Sequence, residues 1–122
     1  MAYTILKNTP IHAVVAVSGQ SMNETITLAG LASTHQSPSS PKANIRAIQW
    51  SVPGTTAATI SRDGAVLWNL TGVYDLQMNG YNDNRGNSTS IVVTTPSTGG
   101  TVIIEFMKIS GWGDEQHLNQ NL

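Results

Sequence analysis

The side chains able to carry chemistry are few and far apart. Three histidines, His12, His35 and His117, fall in a strand-like run, a loop and a polar tail. None forms an H-x-H or H-x-x-x-H pair, the spacings that bring two imidazoles to one metal, so no zinc site is expected. The acids are Glu24, Asp63, Asp75, Asp83, Glu105, Asp114 and Glu115. Glu24 and Glu105 occupy strand-like runs from which two carboxylates can approach each other, and a glycosidase needs such a pair about 5–10 Å apart in a cleft. A chain of 122 residues leaves little room for that cleft. Cysteine is absent, which removes thiol catalysis, thiolate metal ligation and disulfides together. Serine is abundant, but no G-x-S-x-G elbow occurs and no glycine-rich loop opens a helix. The expectation is a protein that is not an enzyme, with no catalytic residue, no cofactor and no metal.

The loop Asn79-Gly-Tyr-Asn-Asp-Asn-Arg-Gly-Asn87 concentrates polar ligands. Asn82, Asp83, Asn84 and Asn87 offer the hard oxygens that calcium takes. Against this, the loop has one carboxylate, no bidentate Glu follows, and Arg85 sits among the candidates. A turn held by side-chain-to-backbone hydrogen bonds explains the same composition. Tyr81, Asn82, Asp83 and Arg85 are therefore candidate exposed contacts rather than metal ligands. Three N-x-S/T triplets, at Asn23, Asn69 and Asn87, are read as chance in a chain so rich in these residues.

Charge excludes other classes. Charged residues make up 11% of the chain and the net charge is −1, against about 25% charged in an average soluble domain. Lys7, Lys42, Arg46, Arg62, Arg85 and Lys108 are scattered, so the basic stripe of a nucleic-acid binder is missing. No stretch reaches the roughly 20 apolar residues of a membrane span. Nor does the N-terminus have signal-peptide architecture.

The elements that must position these residues are strands. Short β-prone runs recur between turn signals: 3–7, 11–17, 22–28, 44–52, 57–62, 65–70, 73–78, 88–95 and 101–109. Met22, Glu24, Ile26 and Leu28 alternate with Asn23, Thr25 and Thr27, which only a two-residue period produces. Asp63-Gly64 between two such runs predicts a type I′ hairpin, because both turn residues need positive φ. That turn sets Ile60 opposite Leu67, and Ser61, Thr59 and Ala57 opposite Val66, Trp68 and Leu70. Residues 31–42, with two prolines and no apolar period, read as a long mobile loop. The spacing predicts an all-β domain over 1–110, an antiparallel β-sandwich of about eight to nine short strands, with a jelly-roll or partial barrel as alternatives. Residues 111–122 read as an irregular tail.

Two strands are apolar on both faces. In 101–109, Val102, Ile104 and Phe106 point one way and Ile103, Met107 and Ile109 the other, interrupted by Glu105. A two-layer sandwich buries one face of each sheet. The second face is covered either by a loop or by another chain. Trp112, between Gly111 and Gly113, has the same ambiguity: its ring folds onto its own sheet or inserts into a neighbour. Ile103, Met107, Ile109 and Trp112 are the candidate partner interface.

The wording of the sequence adds a resemblance. Ala2-Tyr-Thr-Ile-Leu-Lys-Asn-Thr-Pro10, Ile48-Gln-Trp-Ser51, Ser61-Arg-Asp-Gly-Ala-Val-Leu-Trp-Asn-Leu-Thr-Gly72, Asn87-Ser-Thr-Ser-Ile-Val-Val-Thr94 and Lys108-Ile-Ser-Gly111 together resemble small virion structural proteins of marine tailed phages, notably cyanophages. The likeness runs from Ala2 to Gly111 and omits 31–42. It implies a capsid decoration or cement protein made in a bacterial cytoplasm and carried in the virion. Its partners would be the major capsid protein, other virion proteins and further copies of itself. A tail, neck or baseplate component and a glycan-binding sandwich module are the alternatives. The last would need an exposed aromatic platform, whereas Trp50 and Trp68 read as core.

Overall fold

The computed structural model describes residues 3–79, 81 and 86–113. Nine strands form among the described residues: β1 (Tyr3–Asn8), β2 (His12–Ser18), β3 (Asn23–Ile26), β4 (Lys42–Val52), β5 (Ala58–Arg62), β6 (Ala65–Leu70), β7 (Gly72–Gln77), β8 (Ile91–Thr94) and β9 (Thr101–Ser110). A 3-10 turn, Ala29–Leu31, is the one helical element among the described residues. The strands assemble into a five-stranded sheet ordered β1-β2-β9-β4-β7 and a four-stranded sheet ordered β3-β8-β5-β6, with every pairing antiparallel. The chain is an antiparallel β-sandwich, the first of the architectures expected from its strand spacing.

Period-two patterning decides which face each strand buries. In β2, Ala13, Val15 and Val17 are fully buried while Val14 and Ala16 are half-buried on the far side. In β9, Val102, Ile104 and Phe106 enter the core. Ile48 of β4 joins them, and Ile26, Ile60, Leu70, Ile91 and Val93 come from the other sheet. Each fully buried side chain of this size contributes about 1.5–3 kcal/mol.

The β5–β6 hairpin corrects one expectation. Asp63 and Gly64 have φ of 54° and 75°, as a type I′ turn needs. Arg62 faces Ala65 and Ser61 faces Val66, but Leu67 is then an extra residue, so Ile60 faces Trp68 and Ala58 faces Leu70. An unbroken register would have aligned Asn69 with the inward-facing Ala58. The bulge turns Leu70 inward instead, where it is buried.

The segment 31–42 is a second correction. Leu31 and Gln36 are buried, and the Ser37 and Ser39 amides donate to the Trp112 and Gly111 carbonyls at 3.0 and 2.8 Å. Residues 32–41 form a strap fastened to the chain after β9, and the last of the segment, Lys42, opens β4. Gly111, Trp112 and Gly113 accordingly belong to the packed domain, not to a loose tail. The remainder of the expected tail, 114–122, lies outside the described residues.

Candidate functional site

The outer face of the five-stranded sheet brings together residues far apart in sequence. β9 lies between β2 and β4. Its outward side chains are Thr101, Ile103, Glu105, Met107 and Ile109, with Met107 and Ile109 exposed. Across β2, Val14 stands opposite Glu105 and Ala16 opposite Ile103. Across β4, Ala47 stands opposite Glu105 and Gln49 opposite Ile103. Short aliphatic and amide side chains therefore surround Ile103. The candidate residues Ile103, Met107 and Ile109 share this face.

Its charges are few and mostly paired with each other. A β4 bulge between Ile45 and Ala47 releases Arg46 from the register. The Arg46 guanidinium then lies 3.7 Å from Glu105 Oε1 and 2.7 Å from His12 Nε2. A guanidinium only donates, so Nε2 accepts and the imidazole proton sits on Nδ1. The side chains of Arg46 and Glu105 are 46% and 33% exposed, so solvent screens this pair to well under about 1 kcal/mol. It lowers the net charge of the face without stiffening it.

Two shallow depressions flank this centre. One, of about 330 Å³, lies between Asn44, Arg46, Gln77, Met78, Tyr81 and Met107. The other, of about 430 Å³, lies between Gln49, Val73, Asp75, Thr101 and Ile103. Glu24 and Glu105 are not brought together: Glu24 is on β3 of the four-stranded sheet, and Glu105 faces away from that sheet. Among the described residues no three His, Asp or Glu side chains gather around a common point.

Trp112 is elsewhere. Its ring is 2% exposed and sits in the core, with Nε1 donating to the Lys42 carbonyl at 2.9 Å. It is therefore removed from the candidate partner interface. The flanking glycines, expected to leave the ring free, do the reverse. A Cβ on Gly111 or Gly113 would lie 2.4 Å from the Ser40 or Ser37 carbonyl oxygen. The missing side chains let the strap close directly on the backbone, and the closed strap fixes the ring.

Sequence reasoning missed the polar cluster beneath that strap. Lys108 Nζ is buried and donates to Asn8 Oδ1, the Thr9 carbonyl and Gln36 Oε1 at 2.7, 2.8 and 2.6 Å. Gln36 Nε2 donates in turn to the Pro10 carbonyl, and Asn8 Nδ2 to the Ala32 carbonyl. Arg62 is also buried, donating to the Ala43 carbonyl at 2.7 Å. The signal available was position: both cations fall at inward steps of their strands.

Of the candidate loop contacts, Tyr81 is exposed, while Asn82, Asp83 and Arg85 lie outside the described residues. Trp50 and Trp68 are partly buried against the core. Trp50 Nε1 donates to the Thr71 carbonyl, leaving Tyr74 and Tyr81 as the widely exposed aromatics. No helix among the described residues is long and apolar enough to cross a membrane.

No protein-family model matches the chain, and no curated protein matches it. Among solved structures, the crystal structure of a cupin domain from Bordetella pertussis Tohama I is similar, with a TM-score of 0.42 and 12% identity over 88% of this chain and 92% of that one. At that level nothing about ligand or activity is transferred.

Proposed function

We propose that the protein is a non-enzymatic structural component of a phage particle, a decoration or cement protein that seats the outer face of its five-stranded sheet on the capsid lattice. The observation that carries this reading is the composition of that face. Ile103, Met107 and Ile109 project from β9, with Val14, Ala16 and Ala47 beside them and an internally paired Arg46–Glu105. The core of a protein interface is mostly apolar and enriched in Met and Arg, and here the one charged pair within the apolar patch is internally compensated. The resemblance in sequence supplies the identity of the partner, the major capsid protein.

Particles lacking the protein, mixed with purified chain, test the reading. Ile103→Asp should weaken binding by at least about ten-fold, since it replaces a burial contribution of about 1.5–3 kcal/mol with a desolvated carboxylate. Its denaturation midpoint should stay close to that of the unaltered protein. Unchanged binding by Ile103→Asp and Met107→Asp would remove this face from the interface. Copy number separates the virion alternatives: hundreds per particle for a decoration protein, few for a tail, neck or baseplate part.

A further inference from the structure

The register of the five-stranded sheet builds a hollow on its outer face. Ser51 of β4 stands between Thr101 of β9 and Val73 of β7. One step along the strands, Gln49 stands between Ile103 and Asp75. Side chains two residues apart in a strand point to the same face, so these six share one patch. The depression of about 430 Å³ lies among them, and Ser51, the shortest of the six side chains, leaves its floor low. Ile103 and Val73 wall it on either side, Val73 being 74% exposed. Asp75 is the one charge on its rim. It has no ion pair among the described residues, whereas Glu105 lies beside Arg46. Thr4, Ala16, Ile103 and Gln49 complete its row across the sheet, and none carries a charge.

We propose, resting on the docking of this face to a capsid partner, that the hollow seats a basic side chain of that partner, a lysine or an arginine, with its stem between Ile103 and Val73 and its cation at Asp75. Shape and charge select that occupant together. Lysine and arginine carry a long aliphatic stem that covers apolar surface and a charged head that stays at its edge. A purely aliphatic side chain would fill the hollow but strip water from the Asp75 carboxylate without supplying a counter-charge, which costs free energy. An acidic one would set like charges against each other. A metal ion takes several oxygen ligands, and one carboxylate stands here. Since Glu105, the other acid of the face, already has Arg46 beside it, Asp75 also gives the docking a direction: the β7 side of the patch must meet the partner's cation.

Binding to particles lacking the protein reads this out. Asp75 and Ser51 are exposed, so their variants should keep the denaturation midpoint of the unaltered chain. Asp75→Asn should weaken binding by about ten-fold or more and flatten its dependence on salt. Asp75→Lys should weaken it further, by setting cation against cation. Ser51→Leu fills the hollow from its floor and should also weaken binding, with the charge unchanged. Both sites act on one inserted side chain, so the double variant Ser51→Leu, Asp75→Asn should lose less than the product of the two single losses. A loss equal to that product would overturn the proposal by giving the carboxylate and the hollow separate partners. Tighter binding by Asp75→Lys would overturn it too. If Asp75→Asn binds like the unaltered chain while Met107→Asp, outside the hollow, does not, the seated cation is overturned and the docking face stands. Unchanged binding by Asp75→Asn, Met107→Asp and Ile103→Asp alike would overturn the docking face as well.

Discussion

Lys108 carries its ammonium 4.8 Å from the centroid of the Trp112 ring, and the pair closes one end of the sandwich. A buried cation over an indole gains attraction from the ring quadrupole, and this one also donates to oxygens of Asn8, Thr9 and Gln36. Those residues belong to the end of β1, the β1–β2 turn and the strap. One side chain from β9 therefore ties its strand to the β1–β2 hairpin end and to the strap, segments distant in sequence, and Trp112 covers it.

Trp112→Ala should be the most damaging single truncation among the tryptophans. It removes a ring that is 2% exposed, its hydrogen bond to the Lys42 carbonyl and its contact with Lys108. Loss of a buried Trp costs about 3–5 kcal/mol. Trp68, half-buried opposite Ile60, should cost less. Denaturant midpoints of the two variants give the order directly. The reverse order would mean that the strap end contributes little to the core.

Lys108→Met keeps the volume of the stem and deletes the donors. Asn8 Oδ1 and the Thr9 carbonyl then lose a bond from a cation, while Gln36 Oε1 keeps only the bond from the Ser33 amide, and leaving a polar group unmet inside the protein costs about 1–3 kcal/mol. The expected result is a loss of at least about 2 kcal/mol with faster amide exchange at Ser37 and Ser39. Exchange that rises equally in every strand would instead show that the strap does not open separately.

The strands were legible because their side chains alternate, and Asp63-Gly64 marked its hairpin because two adjacent positive φ values restrict the residues able to occupy them. Ile103, Met107 and Ile109 could be assigned one face for the same reason. Their neighbours could not, because the order β2-β9-β4 joins runs separated by many residues. The Leu67 bulge escaped detection since inserting one residue leaves no mark in the local pattern. The fate of Lys108 depended on Asn8, 100 residues away. Gly111 and Gly113 were read as slack for want of the strap that packs on them.

Chelation should leave the thermal midpoint where it is. The described residues hold no cluster of His, Asp or Glu ligands, and the buried cations are bonded to neutral oxygens. Melts recorded with and without a strong chelator should superimpose. A drop of many degrees, reversed by calcium, would assign a metal to the segment around Asp83.

Glycine substitutions separate backbone conformation from close approach. Gly64 has φ of 75° with open space around its missing Cβ, whereas Gly111 and Gly113, at 81° and 87°, would drive a Cβ to 2.4 Å from a strap carbonyl oxygen. All three should lose about 1–2 kcal/mol on replacement by alanine from the left-handed backbone alone. Gly64→Ala should lose no more than that. Gly111→Ala and Gly113→Ala must also displace Ser40 or Ser37, and so should cost clearly more, with the strap amides of Ser37 and Ser39 losing protection first. The comparison needs only three denaturation curves and one exchange experiment. Equal losses at all three glycines would show that the strap yields freely, and would leave Trp112 held by its own contacts rather than by the segment closed over it.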